Sequence, residues 1–302
     1  MKRATVLAAL IAIGGLSLVV TAYQAPAQQA AKVIQVDKVK DNLYVLKGGG
    51  GNTAVFLTTT GVVVVDAKNP GWGQPILDKI KELSPKPVTM LINTHTHGDH
   101  VSGNVEFPAT IDIVTQEKTK ANMEKLDIFK QSNGKGMPKR TFKDRMTIGK
   151  GPDQIDLYYF GPGHTNGDAW VVFPALSTVH AGDLFASKGL PNIDTDNGGS
   201  VLYYPDTLNK AYNGIKNVET VINGHNNTTT TWPDLKTYAE FNQDFLAWAQ
   251  AELKAGKSPD QAAAEWKLPE KYQTLGYSGT APTLFGGLAG RIKLLTDEMK
   301  KK

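Results

Sequence analysis

The sequence predicts an α/β fold in one domain that is built as two α/β halves. Short runs of β-branched and aromatic residues bounded by Gly and Asn are typical of strands, and they alternate with segments that have apolar residues at helical spacing. This order occurs twice, before and after a glycine-rich segment at 131–138, and no linker separates the halves. The chain has 302 residues, of which 40% are hydrophobic and 21% charged, so it can bury a core of this size.

In the first half, the stretch NLYVLKGGGGNTAVFLTTTGVVVVDA predicts three strands that are separated by turns at 48–52 and 59–61. GQPILDKIKEL follows as a helix, because its isoleucines and leucines lie at helical spacing. PVTMLIN then predicts a buried strand that leads directly into a histidine-rich segment. The strand IDIVT and a charged helix from Gln116 to Lys130 complete this half.

In the second half, QIDLYYF, AWVVFP, STVHAGD and VETVING predict strands, and DTLNKAYNGI predicts a helix. From Pro233 to Lys302 the chain is predicted to be mostly helical, with proline in the first turn and Asp234 near the positive helix end. The basic segment Lys135–Lys143 is rich in Gly and Lys and predicts a solvated loop.

Residues 1–27 predict a secretory signal peptide. Lys2 and Arg3 precede an apolar run, and small residues suit cleavage near Ala22 or Ala27. The alternative is a retained anchor, but the run is short for a membrane-spanning helix and contains glycines. We therefore expect a periplasmic or secreted protein, without a stable membrane anchor after cleavage, whose domain covers 33–302. The chain has no cysteine, which excludes disulfides and lipid attachment at cysteine.

The charge of the mature chain excludes a polybasic nucleic-acid binder. Cleavage after Ala27 removes two positive charges, so Lys and Arg fall from 33 to 31 against 29 Asp and Glu, and the net charge falls from +4 to +2. The expected partner is a small-molecule substrate. The oligomeric state is left open.

Three of the six histidines lie in the stretch INTHTHGDHVSGN. His95 and His97 are two residues apart, so in an extended segment they point to the same side and suit one metal ion. Gly98 then permits a sharp turn, after which Asp99 and His100 can face elsewhere. A polar loop that needs only hydrogen bonds would rarely concentrate these side chains so strongly.

Other polar residues of the ligand type stand at the ends of predicted strands. His164 and His225 each follow a strand, and Asp66 and Asp183 each end one. In α/β folds such side chains meet at one edge of a sheet and form a site. His180 differs because it lies within a strand, and we expect it to be buried or half-buried with a local partner.

The motifs H-T-H-G-D-H, G-H-T, A-G-D and the final G-H, in this order, resemble those of the metallo-β-lactamase-fold hydrolase superfamily. The resemblance covers about Val33 to Trp248. It implies a four-layered αββα sandwich, an α/β fold class, with a metal site at one edge between two sheets. The helical part from 233 to 302 would be a C-terminal extension of that fold.

The resemblance also implies a role for each motif residue around two zinc ions, with Mn²⁺ or Fe²⁺ as alternatives. Asp99 would in addition orient the attacking hydroxide and manage its proton, and Asp66 would support the site from behind the ligands. The implied ligands are His95, His97 and His164 at a first metal position, Asp99, His100 and His225 at a second, and Asp183 as a bridge between them.

The implied reaction is hydrolysis by a hydroxide that bridges the two zinc ions. The substrate would have an ester, lactone, amide or β-lactam bond. The common two-zinc lactamases place a cysteine where Asp183 stands, so this chain resembles the general hydrolases of the superfamily more closely. Two alternatives stay open: a mononuclear-iron oxidoreductase resembling persulfide dioxygenases, and a non-catalytic periplasmic metal-binding protein.

Substrate-binding residues are less clearly marked in the sequence. Lys188 lies five residues after Asp183 and is a candidate for binding a substrate carboxylate, while Tyr203 and Trp72 are candidates for lining a cleft. The two aromatic residues could equally belong to the core or the rim. The segment Asp194–Gly198 resembles the start of a calcium loop, but no Glu stands at the twelfth position, which argues against calcium.

Overall fold

A computed structural model describes residues 32–283 and 286–301, so the predicted signal peptide lies outside the described residues. The first sheet has seven strands in sequence order. Pairing is antiparallel up to the fourth strand and parallel from there to the seventh. The strands are β1 Gln35–Lys40, β2 Leu43–Lys47, β3 Thr53–Leu57, β4 Val62–Val65, β5 Val88–Ile92, β6 Asp112–Gln116 and β7 Arg140–Phe142.

The second sheet has six strands, and each strand lies beside the next one in the chain. Only the fourth and fifth of these strands pair in parallel, and the other neighbours are antiparallel. The strands are β8 Arg145–Ile148, β9 Ile155–Tyr158, β10 Trp170–Phe173, β11 Thr178–Gly182, β12 Thr220–Asn223 and β13 Thr230–Thr231.

The helices lie between and after the strands. Helix α6, Trp232–Lys254, begins with a capping box, in which the Thr231 side chain accepts from the Asp234 backbone and the Asp234 side chain accepts from the Thr231 backbone. The helices are α1 Gly73–Leu83, α2 Gly98–Val101, α3 Glu117–Met123, α4 Asp127–Gln131, α5 Tyr204–Gly214, α6 Trp232–Lys254, α7 Pro259–Glu265, α8 Glu270–Gln273 and α9 Gly287–Lys300. No helix of the described ranges is long and apolar enough to span a membrane.

Alternation along the strands produces three apolar layers. On β4, Val63 and Val65 pack with Val171 of β10 between the two sheets, whereas Val62 and Val64 face the opposite side and pack with α1. The outer face of the second sheet packs against the C-terminal half of the chain, where α5 and α6 lie. The layers are therefore helix, sheet, sheet and helix, which confirms the predicted αββα sandwich and its helical C-terminal part.

Two local predictions were wrong. The charged helix predicted from Gln116 to Lys130 is two short helices, α3 and α4, with a break before Asp127. The basic segment predicted as a solvated loop ends in β7, because that strand pairs with β6 and buries Phe142 between the sheets. The contact pattern leaves the residues from 32 onward in one unit. The exact domain limits stay a prediction.

Candidate metal centre

The motif residues lie on segments that follow strands at one edge of both sheets. After β5 the chain bends at residues 94–96, which include His95; His97 has an extended backbone, and α2 begins at Gly98. Asp66 follows β4 with a left-handed backbone (φ 65°), which Asp tolerates better than most residues. Asp183 directly follows β11, in a 3₁₀ turn whose first position it occupies. Different strands thus bring their terminal side chains to a common region.

At the first metal position, one ligand atom each of His95, His97, His164 and Asp183 lies within 4.8 Å of the others. His164 Nε2 is 2.8 Å from His97 Nδ1 and 3.6 Å from Asp183 Oδ2. His95, His164 and Asp183 are buried, and His97 is half-buried. The predicted first ligand set and the predicted bridging residue therefore converge in space.

The hydrogen bonds around His95 fix which of its nitrogens carries the proton. Thr94 Oγ1 donates to Asp66 Oδ2 at 2.7 Å, so it accepts from His95 Nδ1 at 2.9 Å. The neutral ring then leaves His95 Nε2 unprotonated. This atom is buried and has no hydrogen-bond partner, although buried polar atoms are normally paired. An unpaired imidazole nitrogen aimed into a cluster of histidines fits a metal ligand.

The other two histidines of the first metal position are fixed in the same way. His97 Nε2 lies 2.7 Å from Asp194 Oδ2, and His164 Nδ1 lies 2.8 Å from the carbonyl oxygen of Asn192. A carboxylate and a carbonyl can only accept, so both nitrogens are donors. When the rings are neutral, the lone pairs of His97 Nδ1 and His164 Nε2 face each other at 2.8 Å. A cation or a proton is needed between them.

At the second metal position, ligand atoms of Asp99, His100 and His225 also lie within 4.8 Å of one another. His100 Nδ1 bonds to Asp66 Oδ2 at 2.7 Å, which directs its Nε2 toward His225 Nε2 at 3.3 Å. His225 Nε2 is 3.2 Å from Asp99 Oδ2. Asp66 thus holds one ring of each metal position, directly at His100 and through Thr94 at His95.

Asp183 lies between the two positions. Its Oδ2 is 3.6 Å from His164 Nε2 and 3.3 Å from His225 Nε2, and its Oδ1 is 3.4 Å from His100 Nε2. Asp183 Oδ1 is buried without a hydrogen-bond partner. Gly224 is needed beside it, because a Cβ at that residue would lie 2.0 Å from Asp183 Oδ1. The carboxylate therefore reaches ligand atoms of both positions.

Burial and charge set the protonation of these groups. Burial lowers the pKa of His164 to about 4 and that of His95 well below its usual range, so both rings are neutral at neutral pH. Burial opposes a charge on His225, but its bonds to Asp183 and Asp99 outweigh this and raise its pKa to about 9. Burial would likewise raise the pKa of Asp99, yet the His225 hydrogen bond and the charge on His100 lower it to about 2.

The glycine turn before β3 packs closely on the second metal position. A Cβ at Gly51 would lie 2.1 Å from His100 Cε1, and the Gly51 amide donates to the carbonyl oxygen of Asp99 at 3.0 Å. Lys68, fully buried, donates to the Gly51 carbonyl at 2.7 Å and to that of Leu46 at 2.9 Å. The turn is therefore tied to the chain beneath it.

The predicted substrate residues lie in three places. Trp72 is half-buried and packs against the glycine turn, since a Cβ at Gly49 would meet its ring at 2.1 Å. Tyr203 is 44% exposed and precedes α5. Lys188 forms an ion pair with Asp234, with Nζ 2.9 Å from Oδ1. Their roles toward a substrate stay predictions.

The sequence profile of the metallo-beta-lactamase superfamily matches residues 46–225. The chain belongs to this superfamily. Among the superfamily's curated members, the metallo-beta-lactamase type 2 of Elizabethkingia meningoseptica is 26% identical over 252 residues, which cover 80% of this chain and 95% of the relative. A hydroxyacylglutathione hydrolase of Nostoc punctiforme is 29% identical over 164 residues, which cover 53% of this chain and 54% of the relative.

Solved structures show the same metallo-beta-lactamase fold. A metallo-beta-lactamase from Pontibacter korlensis superposes with a TM-score of 0.59 at 21% identity, covering 70% of this chain and 99% of its own. A double mutant of a sec-alkyl sulfatase superposes with a TM-score of 0.74 at 15% identity, covering 88% of this chain and 50% of its own. At these identities the likeness concerns the fold alone.

Several residues that orient the candidate ligands are not apparent from the sequence. Asn192 acts through its backbone carbonyl, which any residue type provides. Asp194, at the start of the calcium-like segment, instead orients His97 and accepts from the Asn197 backbone at 3.0 Å. His180 is buried, with Nε2 3.0 Å from the Asn52 carbonyl oxygen and Nδ1 3.1 Å from the Gly182 amide, which confirms the predicted local partner.

Proposed function

We propose that this protein is a metal-dependent hydrolase that holds two zinc ions, one at each metal position, joined by Asp183. The observation that carries the proposal is that two buried atoms, His95 Nε2 and Asp183 Oδ1, have no hydrogen-bond partner within two groups of converging imidazoles and carboxylates. Unpaired buried polar atoms are costly, and a bound cation would satisfy them.

The ligand chemistry favours zinc. The two positions offer five imidazoles and two carboxylates and no thiolate, which suits Zn²⁺, with Mn²⁺ or Fe²⁺ as alternatives. Neutral histidines are the form that binds metal. Burial keeps His95 and His164 neutral, whereas His225, with a pKa of about 9, would release its proton when an ion binds. When bound, two such ions supply Lewis acidity that polarises the scissile bond and lowers the pKa of a water molecule toward about 7.

We propose that Asp99 acts on the proton of the attacking water. Its pKa of about 2 keeps it a carboxylate at neutral pH, and its side chain is 32% exposed, so it can reach both the ligand cluster and solvent. It would orient the attacking water and accept a proton from it. Asp66, fully buried, would hold the rings of His95 and His100 in the tautomers that binding requires.

The substrate class that we propose is a small molecule with an ester, thioester, lactone, amide or β-lactam bond. Support comes from two curated relatives, one named a metallo-beta-lactamase and one named a hydroxyacylglutathione hydrolase. Export to the periplasm or the medium stays part of the proposal and rests on the sequence of residues 1–27.

Metal analysis combined with a substrate panel tests the proposal. We expect about two zinc ions per chain, hydrolysis of nitrocefin, lactones or thioesters but not of phosphodiesters, and loss of turnover with a chelator that zinc restores. One iron per chain, without hydrolysis, would indicate the oxidoreductase instead. Two zinc ions without turnover of any substrate would favour a binding protein.

A further inference from the structure

We propose that helix α9 positions the histidines of the first metal position by clamping both ends of the loop formed by residues 191–202. Arg291 and Glu298 of α9 would be the positioning residues. The inference rests on the proposed function, because it concerns a metal ion held by His95, His97 and His164.

The loop orients two of these three histidines. Its Asn192 carbonyl accepts from His164 Nδ1 at 2.8 Å, and its Asp194 carboxylate accepts from His97 Nε2 at 2.7 Å. The Asp194 amide also donates to the His164 carbonyl at 2.9 Å. A shift of this loop would therefore rotate both rings or break their hydrogen bonds. Such partners of metal ligands set ring orientation and basicity.

Helix α9 contacts the loop at its two ends. Arg291 Nη1 donates to the carbonyl oxygen of Pro191, next to Asn192. At the other end, the Glu298 carboxylate accepts from Ser200 Oγ at 2.5 Å, from the Val201 amide at 2.8 Å and from the Leu202 amide at 3.4 Å. These partners lie about a hundred residues away in the chain, so only the tertiary fold brings them together.

Arg291 is buried, which is unusual for a charged side chain. The residue is 5% exposed, and its guanidinium lies 5.6 Å from the centre of the Phe245 ring. Burial lowers its pKa to about 10, so the group stays charged at neutral pH. Burying a charge is costly and calls for a compensating interaction. The hydrogen bond to the Pro191 carbonyl is such an interaction, and Pro191 directly precedes Asn192, whose carbonyl accepts from His164.

The middle of the loop is also bonded to the segment that carries His164, because the Asn197 carbonyl accepts from the Asn166 amide at 3.0 Å and the Ser200 amide donates to the Gly163 carbonyl at 2.9 Å. The loop contains one 3₁₀ turn, Thr195–Asn197, followed by Gly198 with a φ of 73°. The turn fixes Asp194 locally, through the bond from the Asn197 amide to Asp194 Oδ1 at 3.0 Å. It does not join the loop to the second metal position. In the part of the chain that the structure describes, the hydrogen bonds of Asp99, His100 and His225 do not involve this loop.

Helix α9 also lies outside the segment that matches the superfamily, which ends at residue 225. The clamp therefore joins the C-terminal extension to the shared fold. Its expected effect is selective: loss of the clamp should weaken the first metal position and spare the second.

The test uses the full chain and a matched control. Glu298→Ala removes an acceptor of three hydrogen bonds, and Glu298→Gln keeps one oxygen. Asp297→Ala, at the exposed neighbour on the same turn of α9, removes a carboxylate that makes none of these bonds. Arg291→Met and Arg291→Lys probe the other end. Each change is also made together with His225→Ala, which leaves the first metal position as the main site.

The readouts are metal affinity and the visible spectrum of bound Co²⁺. In the His225→Ala background, we expect Glu298→Ala and Arg291→Met to weaken binding by on the order of tenfold and to alter the Co²⁺ spectrum. The metal affinity of Glu298→Gln should lie between that of Glu298→Ala and that of the parent. Asp297→Ala should have the same affinity as its parent. Equal affinity and equal spectra for all variants would overturn the inference, as would equal weakening of both positions in the full chain. If the unmodified chain binds no metal, the proposed function fails instead. If Arg291→Met does not fold, the Glu298 variants decide.

Discussion

The two metal positions differ in how firmly the protein holds their side chains. At the first, each of the three rings has a hydrogen-bond partner on its outer nitrogen: Thr94, Asp194 and the Asn192 carbonyl. At the second, Asp66 anchors His100, but the side chains of His225 and Asp99 are 39% and 32% exposed and contact each other. The first is preorganised for one ion, whereas the second can adjust.

From this difference we infer that the two positions have different roles. Ordering side chains costs conformational entropy. At the first position the three rings are already ordered by their hydrogen bonds before an ion binds. At the second, binding an ion must order two partly exposed side chains, so we expect weaker affinity there. The same exposure leaves room for a substrate to approach, and Asp99, the proposed proton acceptor, is on this side.

Asp183 contacts both positions, so changing it should have the largest effect. In Asp183→Asn the amide keeps the shape but loses the charge that would join two cations. We expect weaker binding of the second zinc and turnover lower by roughly 10² or more. Asp183→Cys should retain zinc better than Asn, because thiolate is a good zinc ligand. Zinc content and hydrolysis rates are measured, with circular dichroism as the control for folding. A folded Asp183→Asn protein with two zinc ions and full activity would rule out a bridging role.

Single-ligand changes should separate the two positions. His164→Ala removes an anchored, buried ligand, so we expect the first ion to be lost and the protein to retain at most one. His225→Ala removes an exposed ligand and should leave the first ion bound after dialysis. Zinc per chain is measured for both variants under identical dialysis. The comparison between the positions is contradicted if His225→Ala loses the tighter ion.

The clustering of the candidate ligand side chains could be predicted from the sequence, because rare residue types stand at fixed short spacings. His95, His97, Asp99 and His100 lie within six residues, and their chemistry marks them without any knowledge of the fold. The strands with strong β-branched runs, such as β4, were equally clear. Short strands with polar residues were not: β1 has the sequence QVDKVK, and β13 has two residues.

The supports of the ligands could not be predicted, for two physical reasons. The Asn192 partner of His164 is a backbone carbonyl, which leaves no trace in residue type. Asp194 and Glu298 are ordinary acidic residues whose partners lie 97 or so positions away, so only the folded chain reveals them. Lys188 gives a further example: its position five residues after Asp183 marked it in the sequence, but its ion pair with Asp234 is visible only in the folded chain.

A smaller effect is expected at Lys68, which ties the glycine turn beside the second metal position. Burial lowers its pKa to about 7 from 10.5, although Asp66 and Asp99 favour the charge. Between these pH values the unfolded chain binds a proton that the folded chain does not. This lysine therefore makes the folded state less stable as pH falls from about 10 to 7, by up to roughly 1.4 kcal/mol per pH unit.

Lys68→Met removes this titration and also two hydrogen bonds to the Leu46 and Gly51 carbonyls. We expect the variant to be less stable than the parent at pH 10, by about 1–3 kcal/mol, and this difference to shrink and change sign as the pH falls to 7, because the parent alone loses up to about 4 kcal/mol over that range. Urea unfolding of metal-free protein at both pH values measures this. A difference that is the same at both pH values would show that the buried lysine stays charged in the folded protein.

The smallest effect on metal binding is expected at His180, the one histidine outside both positions. Its two nitrogens already have partners, the Asn52 carbonyl oxygen and the Gly182 amide, so neither has a lone pair left for a metal. His180→Asn keeps a donor and an acceptor in a smaller side chain. The loss of fit should lower the free energy of unfolding by about 1 kcal/mol, while zinc content stays near that of the parent. His164→Ala serves as the comparison, because it should deplete the first ion under the same conditions. If both variants lose the same amount of zinc, His180 takes part in the site, and the contrast between anchored ligands and a structural histidine on the same sheet does not hold.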